Sequence, residues 1–366
     1  MTPLDAPDLS DLLTLPPYGL AAAEKLACLG RILDELTHFH RAHCPAYRRM
    51  LEVLGGGAPD ESGLAAIPFL PVRLFKDMEL LSVERDQVVK TLTSSGTSGQ
   101  AVSRIFLDRA TAALQSKVLA RLMGDLLGQQ RHPMLVIDTP SVLKDRAAFS
   151  ARGAGILGFS LFGRDVTYAL DDTMQLDLPR IEAFLEKHRE APTLFVFGFT
   201  FMVWRHLVQP LAALGRRLPL ERGVLLHGGG WKKLADAAVA PAAFRSALAD
   251  HCGLQRVVDY YGMVEQTGSI YLACERGHLH APIFSDILIR DPRDFAVLPA
   301  GRSGLIEVLS VLPQSYPGHA LLTEDLGTLL GEDDCLCGRL GRYFSVERRA
   351  PRAEPRGCSD TYAAPA

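Results

Sequence analysis

From Thr91 onward the chain alternates short apolar runs with longer amphipathic stretches, a pattern that limits it to folds in which helices cover sheets. Met134–Asp138, Thr193–Phe197, Gly223–His227 and Arg256–Tyr260 read as strands, each bounded by turn residues or a helix. Asp108 is placed to cap a helix in which Leu114, Val118 and Leu122 recur every fourth residue, and a further helix follows Pro241. Upstream, Leu26, Leu29, Ile32, Leu33 and Leu36 share one helical face, predicting helices over 20–54 that end at Gly55-Gly-Gly57. Ile283–Ile289 and Gly304–Val311 alternate apolar with polar side chains, which predicts half-buried antiparallel strands in a smaller β-rich lobe.

With 366 residues, 48% hydrophobic and 22% charged, the chain is of ordinary globular composition and exceeds the usual single core, so two or three packed sub-units are expected. A formal net charge of -3 supplies no basic field for nucleic acid, leaving small molecules and proteins as partners. The acidic N-terminus lacks a secretory pattern, and no apolar run reaches the roughly 18 to 20 residues of a membrane span. The odd number of cysteines, seven, argues for a reducing cytoplasm and against a disulfide framework.

The densest chemical signal is Thr93-Ser-Ser-Gly-Thr-Ser-Gly99, where glycines allow close approach and hydroxyls donate to anionic oxygens, as in a phosphate cradle. Gln100 and Ala101 stand where a Walker loop has Lys-Ser/Thr, so it is not that motif. A plain Ser/Gly surface loop is the competing reading. Asp259-Tyr-Tyr-Gly-Met-Val-Glu-Gln-Thr-Gly268 combines an aromatic face that can stack on a purine with one carboxylate, Glu265, suited to magnesium; either tyrosine can equally be core. His227-Gly-Gly-Gly-Trp231 offers a flat slot at Gly228, Gly229 and Gly230 for a planar base, or a structural turn. Cys274, His280, Cys335 and Cys337 offer soft and borderline donors of the kind zinc takes in tetrahedral sites, and they are the candidate ligands of a structural zinc, with His278 in reserve; the Cys-x-Cys spacing is tighter than the usual Cys-x2-Cys.

In order along the chain these segments resemble the adenylate-forming superfamily, which includes acyl-CoA ligases and phenylacetate-CoA ligase. Ile67-Pro-Phe-Leu-Pro-Val-Arg-Leu-Phe-Lys76, Gly198-Phe-Thr-Phe-Met-Val-Trp204, the His227–Trp231 segment and Arg356-Gly-Cys-Ser-Asp-Thr-Tyr362 are more closely similar to LuxE, the acyl-protein synthetases of bacterial bioluminescence. The resemblance implies an adenylate-forming α/β domain of layered subdomains with a small β-rich lobe. It implies ATP phosphates on Ser94, Ser95, Gly96, Thr97, Ser98 and Gly99, and adenine against Asp259, Tyr260 and Tyr261. Further implications are magnesium on Glu265, ribose on Asp325 with Arg339 nearby, and an acyl pocket walled by Phe197, Gly198 and Phe199. Cys358 matches the cysteine that takes the acyl group and passes it to a partner reductase.

Two departures stand out. Val264 occupies the position where many relatives carry Ser or Thr, which leaves Thr267 or the loop hydroxyls as substitutes. The last lysine is Lys233, so the mobile C-terminal domain with its catalytic lysine is expected to be absent or vestigial, and Arg339, Arg342 or Arg356 is expected to replace that cation. The predicted layout is a helical part at 1–90, an ATP- and acyl-binding core at 91–330 and a truncated arm at 331–366 carrying Cys358. An acyl- or aryl-CoA ligase and a non-catalytic adenylate-binding subunit are the alternatives.

Overall fold

Leu29, Ile32, Leu33 and Leu36 are all buried, so the apolar stripe read in the sequence is the inner face of helix α1 (Ala22–His43); Leu26 sits at its exposed rim. Helix α2 (Pro45–Leu54) follows, then a short strand β1 (Leu70–Pro71), the single-turn α3 (Leu74–Asp77) and an antiparallel hairpin of β2 (Val88–Thr93) and β3 (Arg104–Asp108). The computed structural model describes residues 5–54, 63–94, 102–143, 151–231 and 238–350. They divide into two units, the first drawn from Met1–Ser94, Ala101–Leu122 and Gly262–Glu354 and the second chiefly from Met123–Tyr261. The division passes inside the Asp259–Gly268 motif, and the sequence position 330 falls within a strand.

Asp108 accepts a hydrogen bond from the Thr111 backbone N–H at 2.8 Å, capping α4 (Arg109–Leu127) as its place before the apolar repeat predicted. The second unit then runs β4 (His132–Val136), α5 (Ala151–Ser160), β5 (Gly163–Tyr168), α6 (Leu178–Lys187) and β6 (Leu194–Phe199). A helix follows in two parts, α7 (Thr200–Val203) and α8 (Gln209–Ala213), joined by a π-helical turn at Trp204–Val208. The unit ends with β7 (Gly223–Gly228), α9 (Pro241–Cys252), whose first residue is proline as predicted, and β8 (Arg256–Tyr261). Its strands are all parallel, in the order β8-β7-β6-β4-β5. Because helices pack on a parallel sheet's faces, β6 and β7 are buried along their whole lengths, as continuous apolar runs demand.

The first unit resumes with β9 (Tyr271–Ala273), β10 (Leu279–His280), β11 (Ser285–Arg290), β12 (Ser303–Ser310), β13 (Ala320–Glu332) and β14 (Arg342–Arg349). Neighbouring strands in the order β11-β12-β13-β14-β10-β9 are antiparallel, and β1 joins β13 in parallel. The alternation in β11 predicted a half-buried strand, yet every residue of β11 is buried. The polar positions are matched rather than solvated. Asp286 lies 3.5 Å from Lys25 Nζ of α1, and Arg290 pairs with Glu307 of β12 while its Nη2 donates to Ala65 O at 2.9 Å. A second buried polar cluster stacks His40 on His319, ring centroids 5.0 Å apart. His40 Nε2 donates to Pro313 O at 3.1 Å, so Nδ1 accepts from the Ser82 hydroxyl at 2.7 Å.

Candidate active site

Parallel strands of an α/β sheet present their carboxyl ends to ligands, and the register of the second unit lines candidate residues up there in two rows. Gly198, His227 and Asp259 pair across β6, β7 and β8, and Phe199, Gly228 and Tyr260 form the next row. Alternation along each strand sends the two rows to opposite faces.

On one face the predicted acyl-wall residues Phe197 and Phe199 meet at 5.7 Å edge to face, with Phe159 of α5 packed 4.8 Å from Phe197 and 5.2 Å from Tyr260. Phe197 and Phe199 are both buried. A Cβ on Gly228 would sit 2.6 Å from Tyr260 Cε1 and 2.7 Å from Tyr260 O, so the space left by this glycine receives the tyrosine ring. The slot predicted over three glycines is thus filled by Tyr260 at Gly228, while among the described residues no atom lies within 4 Å of a Cβ built on Gly230. Gly198 serves packing: its Cβ would meet Val203 and Ile137 at 2.8 and 2.9 Å.

On the other face His227 is buried and packs on Phe244 of α9. Thr200 donates its hydroxyl proton to Gly228 O at 3.1 Å and therefore accepts from His227 Nδ1, 3.0 Å away, which fixes the proton on Nδ1. Burial, with Arg245 adding to it, holds the His227 imidazolium down to about 3, so its 3.6 Å approach to Asp259 is that of a neutral ring. Just beyond β4, Asp138 accepts from the Thr139 N–H at 2.7 Å and lies 3.0 Å from Arg152 Nε. Burial raises its carboxyl to about 6 against the pull of both partners. Nothing in the sequence reading singled Asp138 out, although an acid ending the apolar run Met134-Leu-Val-Ile137 is the available signal.

In the first unit Glu265 lies on a 3-10 turn (Val264–Gln266), buried, with its backbone carbonyl accepting from the Tyr316 hydroxyl at 2.9 Å. Gln266 Nε2 donates to Val308 O and Gly318 O, and the Thr267 hydroxyl donates to Val264 O at 2.9 Å. Asp325 sits beside a bulge in β13, paired in register with Arg349, whose Nε is 3.3 Å from Asp325 Oδ1. Sequence reasoning named Arg339, Arg342 and Arg356 but not Arg349. Arg339 stacks its guanidinium over the Tyr18 ring at 4.3 Å and donates to Leu272 O, and Arg342 pairs with Glu332 at 3.2 Å. Ser94 and Ser103 close the base of the β2–β3 loop, Ser94 N donating to Ser103 O and Ser103 N to Ser94 Oγ. Ser95, Gly96, Thr97, Ser98, Gly99, Arg356 and Cys358 lie outside the described residues.

Cys274, His280, Cys335 and Cys337 come together as predicted, their donor atoms all within 4.8 Å of one another. Burial, then Arg339, His278 and Lys25, hold the His280 imidazole down to about 4, and burial with the neighbouring thiols pushes the Cys337 thiol up.

Among the described residues no helix is long and apolar enough to cross a membrane. Residues 9–364 match the family described as "Acyl-protein synthetase, LuxE". A similar curated relative is the long-chain-fatty-acid–luciferin-component ligase of Vibrio harveyi, 24% identical, with 96% of this chain and 92% of the relative aligned. Among solved structures the fold is similar to an open 2-hydroxyisobutyryl-CoA ligase in complex with 2-HIB-AMP and CoA. That pair has a TM-score of 0.65 and 17% identity, covering 90% of this chain and 76% of that one. The same ligase in its thioesterification state gives a TM-score of 0.65 and 17% identity over 90% of this chain and 68% of that one. The architecture is therefore that of an adenylate-forming α/β domain, and the chain belongs to the LuxE family of acyl-protein synthetases.

Proposed function

We propose that the protein activates a carboxylic acid of the fatty-acid class with ATP and then carries the acyl group on Cys358. In the first step a carboxylate oxygen attacks the α-phosphorus and pyrophosphate leaves. In the second the Cys358 thiolate attacks the acyl carbonyl, forming a thioester and releasing AMP. The observation that carries this reading is the family match over residues 9–364, which spans every candidate segment including Cys358. Support comes from the strand-end placement of Asp259 and Tyr260, and from Asp325 half-buried beside an arginine, suited to a pair of ribose hydroxyls.

ATP would bring Mg2+, for which the buried Glu265 carboxylate is a suitable oxygen donor; the ion supplies charge neutralisation on the phosphates. Ser94–Gly99 would hold those phosphates, Tyr261 the adenine, and the Phe197–Phe199 row the acyl chain. Tethering the nucleophile makes the second step intramolecular, which favours it over capture by water. The acceptor of the thioester would be a partner acyl reductase, and the Vibrio harveyi relative is named for a luciferin component.

Incubation with a labelled fatty acid and ATP tests the reading. A hydroxylamine-sensitive label is expected on wild-type protein and none on Cys358→Ser, with acid-dependent pyrophosphate exchange kept in both. Labelling that survives the substitution overturns the cysteine assignment, product formation that requires added coenzyme A points to a CoA ligase, and absence of exchange with every acid points to a non-catalytic nucleotide-binding subunit.

A further inference from the structure

We propose that Cys274, His280, Cys335 and Cys337 bind one zinc ion in a closed tetrahedral site that ties the β9–β10 hairpin to the β13–β14 loop. The inference stands apart from the acyl-transfer reading, since all four donors lie in the first unit and none is assigned to ATP or acid.

The spacing suits the metal. With zinc–sulfur bonds of about 2.3 Å and zinc–nitrogen bonds of about 2.0 Å, tetrahedral donors lie roughly 3.5 to 3.8 Å from one another. Cys274 Sγ and Cys335 Sγ are 4.0 Å apart, and Cys337 Sγ is 3.3 Å from His280 Nε2. A sulfur pair at that distance is not a disulfide, whose bond is about 2.05 Å. Three thiols and an imidazole gathered at a largely buried point form a soft donor set that zinc prefers over magnesium or calcium.

The surroundings are built for the same purpose. Cys274 and Cys335-Leu-Cys337 each sit on a tight turn: Gly277 N donates to Cys274 O at 2.8 Å, and Gly338 N donates to Cys335 O at 3.0 Å. Gly338 has φ +80, a left-handed conformation that glycine adopts without strain. The Arg339 backbone N–H points at Cys337 Sγ from 3.5 Å, and His278 Nδ1 lies 3.5 Å from Cys335 Sγ, donors that suit thiolates. Tyr343 stacks on both His278 and His280, with centroids 5.0 and 5.4 Å away, and so fixes the ring of the nitrogen ligand. Three thiolates, one neutral imidazole and Zn2+ leave one net negative charge, faced by Arg339 and Lys25. Four protein donors complete the sphere and leave no position for water, which makes the site structural.

The test is elemental analysis of full-length protein purified without chelators or a metal-affinity tag. One zinc per chain is expected in wild type and in the remote Cys28→Ser control, and none in Cys337→Ser. Because Cys337→Ser can fail to fold, wild-type protein is also exchanged into Co2+, where thiolate-to-cobalt charge transfer and the strong visible bands of tetrahedral cobalt are expected. Folded wild-type protein that carries no zinc and gives an octahedral cobalt spectrum overturns the proposal, as does stoichiometric iron or copper in place of zinc.

Discussion

Arg349 and Asp325 face each other across β13 and β14, with Arg349 Nε 3.3 Å from Asp325 Oδ1 and its Nη2 3.3 Å from Glu324 Oε2. The guanidinium fixes the direction of the carboxylate that we propose takes the ribose hydroxyls, and it does so from the last residue of the strand that leads to the segment bearing Cys358. Arg349→Ala is expected to raise the KM for ATP about tenfold, equivalent to about 1.4 kcal/mol, in acid-dependent pyrophosphate exchange. Arg349→Lys, which keeps the charge but loses the fork, should recover part of it. An unchanged KM in the alanine variant would remove Arg349 from nucleotide binding.

Asp138 and Arg152 form a buried pair in the second unit. Deleting only the carboxylate strands a buried cation, so Asp138→Ala is expected to lower the unfolding free energy by about 3 to 5 kcal/mol. Replacing both partners by apolar residues, Asp138→Leu with Arg152→Met, should restore most of it. Urea titration of the three proteins decides; a single variant as stable as wild type contradicts the pairing.

Gly228→Ala places a methyl group 2.7 Å from a backbone oxygen, which cannot rotate away. The expected result is a loss of about 1 to 3 kcal/mol together with displacement of Tyr260. Thermal unfolding and intrinsic tyrosine fluorescence report the two effects separately, and a fully stable variant would mean that β7 and β8 separate more easily than their register suggests.

Acid should weaken the fold through His319. Burial holds its imidazole down to about 3, and the same cause with His319 itself as neighbour lowers His40. Thr37, Tyr47, Ser82 and the Pro313 carbonyl are bonded to this pair, and His43 lowers His40 further. The unfolded chain takes up these protons below about pH 6.5 while the folded chain refuses them, so their stabilisation is complete above that pH and is lost as pH falls towards 3. At pH 5 His319 alone accounts for about 2 kcal/mol. Guanidinium unfolding at pH 5, 6 and 7 should show His319→Gln with a shallower pH dependence than wild type, and equal slopes would count against the buried neutral ring.

The strands at the candidate site were legible because a parallel sheet covered on both faces demands unbroken apolar runs, and Leu194–Phe199 and Gly223–His227 supply them. The pairing of Cys335 with Cys337 was legible because Cys-x-Cys spacing is local, and the structure brings Cys274 and His280 to the same point from an earlier hairpin. Harder to read was β11, whose alternation describes a solvated face but whose Asp286 meets Lys25 of the far-upstream helix α1 and whose Arg290 meets Glu307 on the neighbouring strand β12. Arg349 escaped notice because its partner, Asp325, lies a strand away, and a tail rich in arginine looks like ordinary solvated charge. The role of Gly228 as a seat for Tyr260 depends on cross-strand register, which composition does not encode.

The Ala22 backbone N–H at the start of α1 donates to both carboxylate oxygens of Asp333, at 3.0 and 2.9 Å, a contact that spans 311 residues. During synthesis at roughly 5 to 20 residues per second, the first long helix therefore waits on the order of 15 to 60 s for the residue that caps it. For that interval the amino end of the helix lacks this partner, whereas α2 and the turn at Gly63–Ala66, which pack against the helix, emerge directly after it, so the helix is supported along its side before it is capped at its end.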